Sequence, residues 1–202
     1  QARKSATLAK KYVDHATSTF SLSIFYFYYS LVLLTDLPTL SFAKQQQLLW
    51  KVSANQRKLK EWSLHAPMNF LHKYYLVEAE VARFSKKDIT AMDYYQKAIE
   101  LAAENNYIQE EALAHELAAL FHLKRKDLKI AKTFMSEAHY CYTLWGATAK
   151  VKDLEKKYSH LLSDTSEKTS SLHKLTTYTT TSNSNTSALL DHATILKATQ
   201  SI

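Results

Sequence analysis

The stretch MNFLHKYYLVEAEVARFSKKDITAMDYYQKAIELAAENN, residues 68–106, has a second version in IQEEALAHELAALFHLKRKDLKIAKTFMSEAHYCYTLWG, residues 108–146. Ala79, Ala91, Tyr95 and Ala98 stand 40 residues before Ala119, Ala131, Met135 and Ala138. Each copy reads as a helix, a short basic turn ending in Asp, and a second helix. A pattern that returns at this spacing predicts stacked helical hairpins. Ala91, Tyr95, Ala98 and Ala102 put small and large residues at three- and four-residue steps, which seats one helix in the groove of its neighbour. Asp88 and Asp127 are placed to cap the helices that follow the two turns.

Working outward, Pro67 fits the first turn of a helix, where its missing N–H costs nothing. The helix after it is expected to bury Phe70, Leu71, Tyr74, Val77 and Val81. In the second copy Leu113, Leu117, Leu120 and Phe121 are expected inward, then Ile130, Ala131, Phe134, Met135, Ala138, Tyr142 and Trp145. Gly146, the only glycine, falls where a helix would end in the left-handed conformation. Residues 147–162 read as one closing helix, with Ala147, Val151, Leu154, Tyr158 and Leu161 inward and Lys150, Lys152, Lys156 and Lys157 outward.

Upstream, Leu40 to His65 forms an amphipathic helix. Its apolar face is Leu48, Leu49, Val52, Leu59 and Trp62; its wet face is Gln45, Gln46, Lys51, Gln56, Lys58 and Lys60. Asp36-Leu37-Pro38 breaks the pattern before it. Ala16 to Thr35 carries no formal charge, which raises a membrane helix. The window holds seven Ser or Thr and three Tyr, so a helix buried through Phe20, Ile24, Phe27, Tyr28 and Leu31 is preferred. Its composition also allows a strand, but no partner strand is in view to satisfy the edges.

Composition changes at Ser163. From there to Ser187, 15 of 25 residues are Ser or Thr, too polar to offset ordering entropy by burial. The expected organisation is a helical repeat domain over 1–162, a Ser/Thr-rich linker over 163–187, and the start of a helical connector over 188–202. The first residue is not Met and the last lie in a helical pattern, so both ends read as cuts in a longer polypeptide. One glycine excludes phosphate-cradling loops. One cysteine, Cys141, excludes an internal disulfide and suits a reducing compartment.

Little in the chain spells chemistry. His115-Glu116 begins like the zinc-protease motif, but Ala119 stands where the second histidine belongs. His122 is near enough to share a face with His115, yet a useful metal site wants a third ligand. No metal, cofactor or catalytic residue is therefore expected. Half-buried polar groups suit a groove between helices instead: His72, Tyr75, Glu78, Arg83, Tyr94, His115 and His122, with Tyr74 and Glu80 beside them. The net charge of +7 leaves a nucleic-acid or anionic-membrane surface as one alternative. A metal-dependent enzyme fragment using His115 and His122 is another.

Ala91, Tyr95 and Ala98 resemble the second helix of the tetratricopeptide pattern, and Ala79 and Ala119 the small residues of its first. The resemblance implies an all-α fold of antiparallel hairpins stacked as a right-handed superhelix, here with a period of 40 in place of about 34. The stretches HAPMNFLHKYYLVEAEVAR, AMDYYQKAIELAAENNYIQEEALAHELAA and AHYCYTLWGATAKVKDLEKKY resemble the helical middle region of large, mainly cyanobacterial, multidomain sensor kinases. In that family a serine/threonine-kinase-like domain and an AAA-type ATPase module precede this region, and a GAF domain and often a histidine kinase follow it. The resemblance implies a cytoplasmic, non-catalytic scaffold or protein-interaction module. Its partners would be flanking domains or a regulatory protein, with no nucleic acid and no membrane span. ATP-dependent kinase activity would belong to the parent protein alone.

Overall fold

The computed structural model describes residues 19–162. Its elements are α1 (Thr19–Asp36), a 3-10 turn (Leu37–Thr39), α2 (Phe42–His65), α3 (Pro67–Phe84), α4 (Asp88–Glu104), α5 (Ile108–Lys124), α6 (Leu128–Leu144), α7 (Thr148–Lys157) and α8 (Ser159–Leu162). No strand occurs among the described residues, so the chain there is all-α and the uncharged run is helix from Thr19 onward. The expected Ser/Thr-rich linker and helical connector lie outside the described residues.

Helices adjacent in sequence are adjacent in space. α3 packs most extensively on α4 and α5 on α6, α4 against α5 links the two pairs, and α7 and α8 cover α6. Joints this short return each helix along the one before it. The Tyr107 hydroxyl, just past α4, therefore donates to Asn69 Oδ1 at the start of α3, 2.8 Å away. The eight residues that mark the repeat are all buried, none more than 2 % exposed. Alanine at most of these contacts lets the helix axes approach to roughly 8–10 Å. The core forms two clusters, one from α1 to α5 and one from α5 to α8, and Phe134 packs against both.

The joints are more regular than the side chains. Lys86, Asn106, Lys126 and Gly146 have φ of 56°, 60°, 65° and 79°, and they stand at intervals of 20 residues. At each one the next residue's N–H reaches back to the carbonyl that leaves the last turn open: Lys87 to Ala82, Tyr107 to Ala102, Asp127 to His122, Ala147 to Tyr142, all 2.8–3.0 Å. The residue with positive φ donates three back, to Arg83, Ala103, Leu123 and Thr143. This is the paired-bond helix stop that favours glycine. Gly146 has the expected left-handed conformation, and three non-glycine residues share it. Gly146→Ala should cost about 1 kcal/mol, since an added Cβ meets nothing within 4 Å and only the backbone penalty remains. Lys126→Gly should gain about 0.5 kcal/mol for the converse reason. Denaturant unfolding of both variants checks the two opposite signs.

Neither expected aspartate cap forms. Asp88 is the first residue of α4, Lys87 holds the cap position, and no side-chain cap bond is made. Asp127 is at the cap position of α6 but likewise makes no cap bond. The two are one residue out of register, so they are not equivalent. Arg125 instead ties them together, bonding Asp88 and, at 3.1 Å, Asp127.

Several inward assignments also shift. The buried stripe of α1 runs through Ser23, Phe27, Ser30 and Leu34, and Tyr28, about 100° round the helix from Phe27, is exposed. Ser30 donates to the Tyr26 carbonyl at 2.7 Å and accepts from Asn55 of α2 at 3.0 Å. No helix of the described residues is long and apolar enough to cross a membrane. Gln56 is buried, not wet, because it donates to the Tyr74 carbonyl and Glu78 across α3. Alanines 112, 114, 118 and 119 take the close contacts of α5, which lies between α4 and α6, and leave Leu113, Leu117 and Leu120 half-buried. Ile130 falls beside the stripe Ala131–Met135–Ala138–Tyr142 and is exposed. Trp145 is exposed too, at the cap position that Ser85, Asn105 and Arg125 hold elsewhere. The closing helix is two, divided at Tyr158, and Lys150 turns onto Glu116.

Candidate functional site

A cleft of about 320 Å³ opens between the end of α1, α3, α5 and Tyr158. Leu117, Leu120 and Phe121 give it apolar lining, and Glu80, Arg83 and Lys124 give it charge. The arrangement follows from spacing: 80 and 83 lie one turn apart on α3, and 117, 120, 121 and 124 on one face of α5. Glu80 is 5 % exposed and needs partners there. Arg83 supplies them through Nε, 3.1 Å from both carboxylate oxygens, and Tyr95 of α4 donates its hydroxyl. Burial, then the Glu80 carboxylate, pushes the Tyr95 phenol far above its ordinary value, so it remains a donor. Arg83 has further N–H groups, and Lys124 adds a second cation. Chemically this is a small amphipathic cleft with one satisfied carboxylate and basic groups facing an apolar wall.

The same chemistry recurs in the second hairpin. Glu116, also buried, accepts from Tyr142 of α6 at 2.9 Å and from Lys150 of α7 at 2.7 Å. A second cleft, also about 320 Å³, lies between α2 and α3 and is lined by Leu49, Val52, Gln56, Glu78 and Val81 among others.

The seven groove candidates divide among five places. Arg83 lines the first cleft and Glu78 the second. Tyr75 and Tyr94 meet each other, ring centroids 5.5 Å apart, with the Lys97 ammonium near both. His115 and His122 both contact the Phe134 ring, at 5.8 and 5.6 Å. His122 is engaged by Asp127 at 3.4 Å. His72 is in the interior, 2 % exposed and stacked on Tyr107 at 4.4 Å.

His72 belongs to a buried polar cluster that was not expected. Lys73 and Glu110 pair at 3.5 Å with side chains 1 % and 5 % exposed. The Lys73 ammonium also donates to the Asn69 carbonyl at 3.1 Å, lies 2.8 Å from His72 Nε2, and sits 4.2 Å from the Tyr107 ring centroid. Because that ammonium donates to Nε2, the neutral ring carries its proton on Nδ1, which has no partner; neither has Glu110 Oε2. Burial pulls Lys73 down and pushes Glu110 up, and their mutual attraction only partly offsets it. A signal for these residues was present. Phe70, Lys73, Val77 and Glu80 follow one helical stripe, and so do Glu110, Ala114, Ala118 and Phe121.

Fold and cleft together define, among the described residues, an all-α chain of successive helix pairs. No family model matches the chain, and no solved structure matches it significantly. A 62-residue stretch, 31 % of the chain, is 40 % identical to Hybrid signal transduction histidine kinase G of Dictyostelium discoideum. That match covers 2 % of the kinase's length. The likeness is to a small part of a signal-transduction kinase.

Proposed function

We propose that this chain is a non-catalytic helical-repeat scaffold within a multidomain signalling kinase. It stacks its hairpins in the tetratricopeptide manner and binds protein segments along the faces of its first helices. The observation that carries the reading is the amphipathic cleft between α1, α3 and α5, whose lining combines Arg83 and Lys124 with Leu117, Leu120 and Phe121. An acidic peptide bearing one large apolar side chain fits that combination, with charge steering the encounter and the apolar anchor holding it. The Dictyostelium relative supports a signalling setting. The intracellular location, the division from flanking ATPase, kinase and GAF modules, and the restriction of phosphotransfer to those modules are parts of the same proposal.

Two measurements test it. Fluorescence anisotropy with labelled acidic–aromatic peptides should show saturable binding, weakened at least tenfold, about 1.4 kcal/mol, by Arg83→Glu with Lys124→Glu. Equal binding by the variant would remove the cleft from the reading. ATP turnover or autophosphorylation by the purified chain would overturn its non-catalytic character.

A further inference from the structure

The two histidines weighed as a metal pair from sequence have different neighbours: His122 meets Asp127, and His115 lies among other groups. Glu111 lies one turn before it on α5, and Cys141 approaches from α6. A carboxylate oxygen, an imidazole nitrogen and the thiol sulfur of these residues all lie within 4.8 Å of one another. His115 is 8 % and Cys141 4 % exposed, while the Glu111 side chain is 22 % exposed and leaves the cluster a way out to water. His115 Nδ1 is buried without a hydrogen-bond partner. Its Nε2 is 3.9 Å from Glu111 Oε1, too long for a hydrogen bond. A buried imidazole left so poorly satisfied calls for an explanation.

We propose that Glu111, His115 and Cys141 form a zinc-class site that clamps α5 to α6. One sulfur, one nitrogen and one oxygen donor suit Zn²⁺, whereas Ca²⁺ and Mg²⁺ take oxygen shells. Tetrahedral zinc with bonds of about 2.0–2.3 Å places neighbouring donors roughly 3.3–3.6 Å apart. The separations, none above 4.8 Å, therefore need to close by about an ångström at most. Water takes the fourth position. Burial holds His115 down to about 4, so its ring is neutral and has a lone pair to give. Burial and the Glu111 carboxylate hold the Cys141 thiol up to about 12. Binding therefore forms a zinc–sulfur bond, breaks the S–H bond, and releases that proton to solvent. Glu137, one turn before Cys141 on α6, adds negative charge near enough to act on the thiol and favours a cation.

The test is titration of the chelator-treated chain with Zn²⁺ and with Co²⁺, whose bond to a thiolate absorbs in the near ultraviolet. One equivalent is expected, with a cobalt–thiolate band, proton release, tightening as pH rises, and a zinc-dependent increase in melting temperature. Cys141→Ser should abolish the band and the melting shift. Glu111→Gln, at the more exposed position and with helicity checked by circular dichroism, should weaken binding at least tenfold even if Cys141→Ser fails to fold. Absence of the band from the unmodified chain, or metal binding that Glu111→Gln leaves intact, overturns the assignment.

Discussion

Glu110→Ala is expected to lower the stability of this chain by about 3–5 kcal/mol, the usual cost of stranding one member of a buried ion pair. Lys73 is 1 % exposed, so once the carboxylate is gone its ammonium has the Asn69 carbonyl, His72 Nε2 and the Tyr107 ring, but no anion. The pair itself contributes little. At 3.5 Å the attraction is about 5 kcal/mol at an effective dielectric near 20, and taking each ion out of water costs several kcal/mol. Both partners shift toward their neutral forms, which says that desolvation outweighs attraction. Lys73→Met combined with Glu110→Leu should therefore recover most of the loss. Urea unfolding of Lys73→Met, Glu110→Leu and the double variant completes the cycle. A double variant as unstable as the sum of the singles would mean that the two groups are not coupled, and one that recovers none of the loss would mean that the pair is a net source of stability.

Acid should unfold the chain partly through His72. Burial, then the Lys73 ammonium, pushes this imidazole down to about 3, against about 6.5 in an unfolded chain. The unfolded state takes the proton first, so stability is complete above about pH 6.5 and falls as pH drops toward the folded value. By pH 4 the loss from this group is roughly 3 kcal/mol. Glu110 acts in the opposite sense, since burial raises its carboxyl and protonating it relieves a cost. His72→Gln leaves Glu110 in place, so the difference between the two proteins isolates the imidazole. The expected result is an acid limb between pH 6.5 and 4 that is shallower in the variant by about 3 kcal/mol. Parallel profiles would show that His72 does not titrate with unfolding.

What could be read from the residues, and what could not, follows from the range of each interaction. Alanines at fixed spacing mark close helix contacts whatever lies across them, so Ala79, Ala98, Ala119 and Ala138 located the hairpins. Gly146 and Pro67 declare backbone needs of their own. Lys86, Asn106 and Lys126 adopt the conformation of Gly146 without its residue type, and only the helix lengths on either side impose it. Lys73, Glu110 and Glu116 look like solvent residues because their charge is local while their partners are not. Glu116 is satisfied from α6 and α7, 26 and 34 residues onward. The gathering of Glu111, His115 and Cys141 likewise depends on the crossing of two helices. Stripe periodicity, which sets Lys73 between Phe70 and Val77, was the one local signal for its burial, and polarity hid it.

The four joints with positive φ have a consequence for how such a chain changes length. Each hands its successor the same backbone geometry, so a block cut at one joint and copied at another preserves every local bond at its ends. A single residue added inside a helix instead turns everything beyond it by about 100° and carries the buried alanines off their seats. Growth by duplication is open to this architecture, and growth by small insertion is confined to its joints.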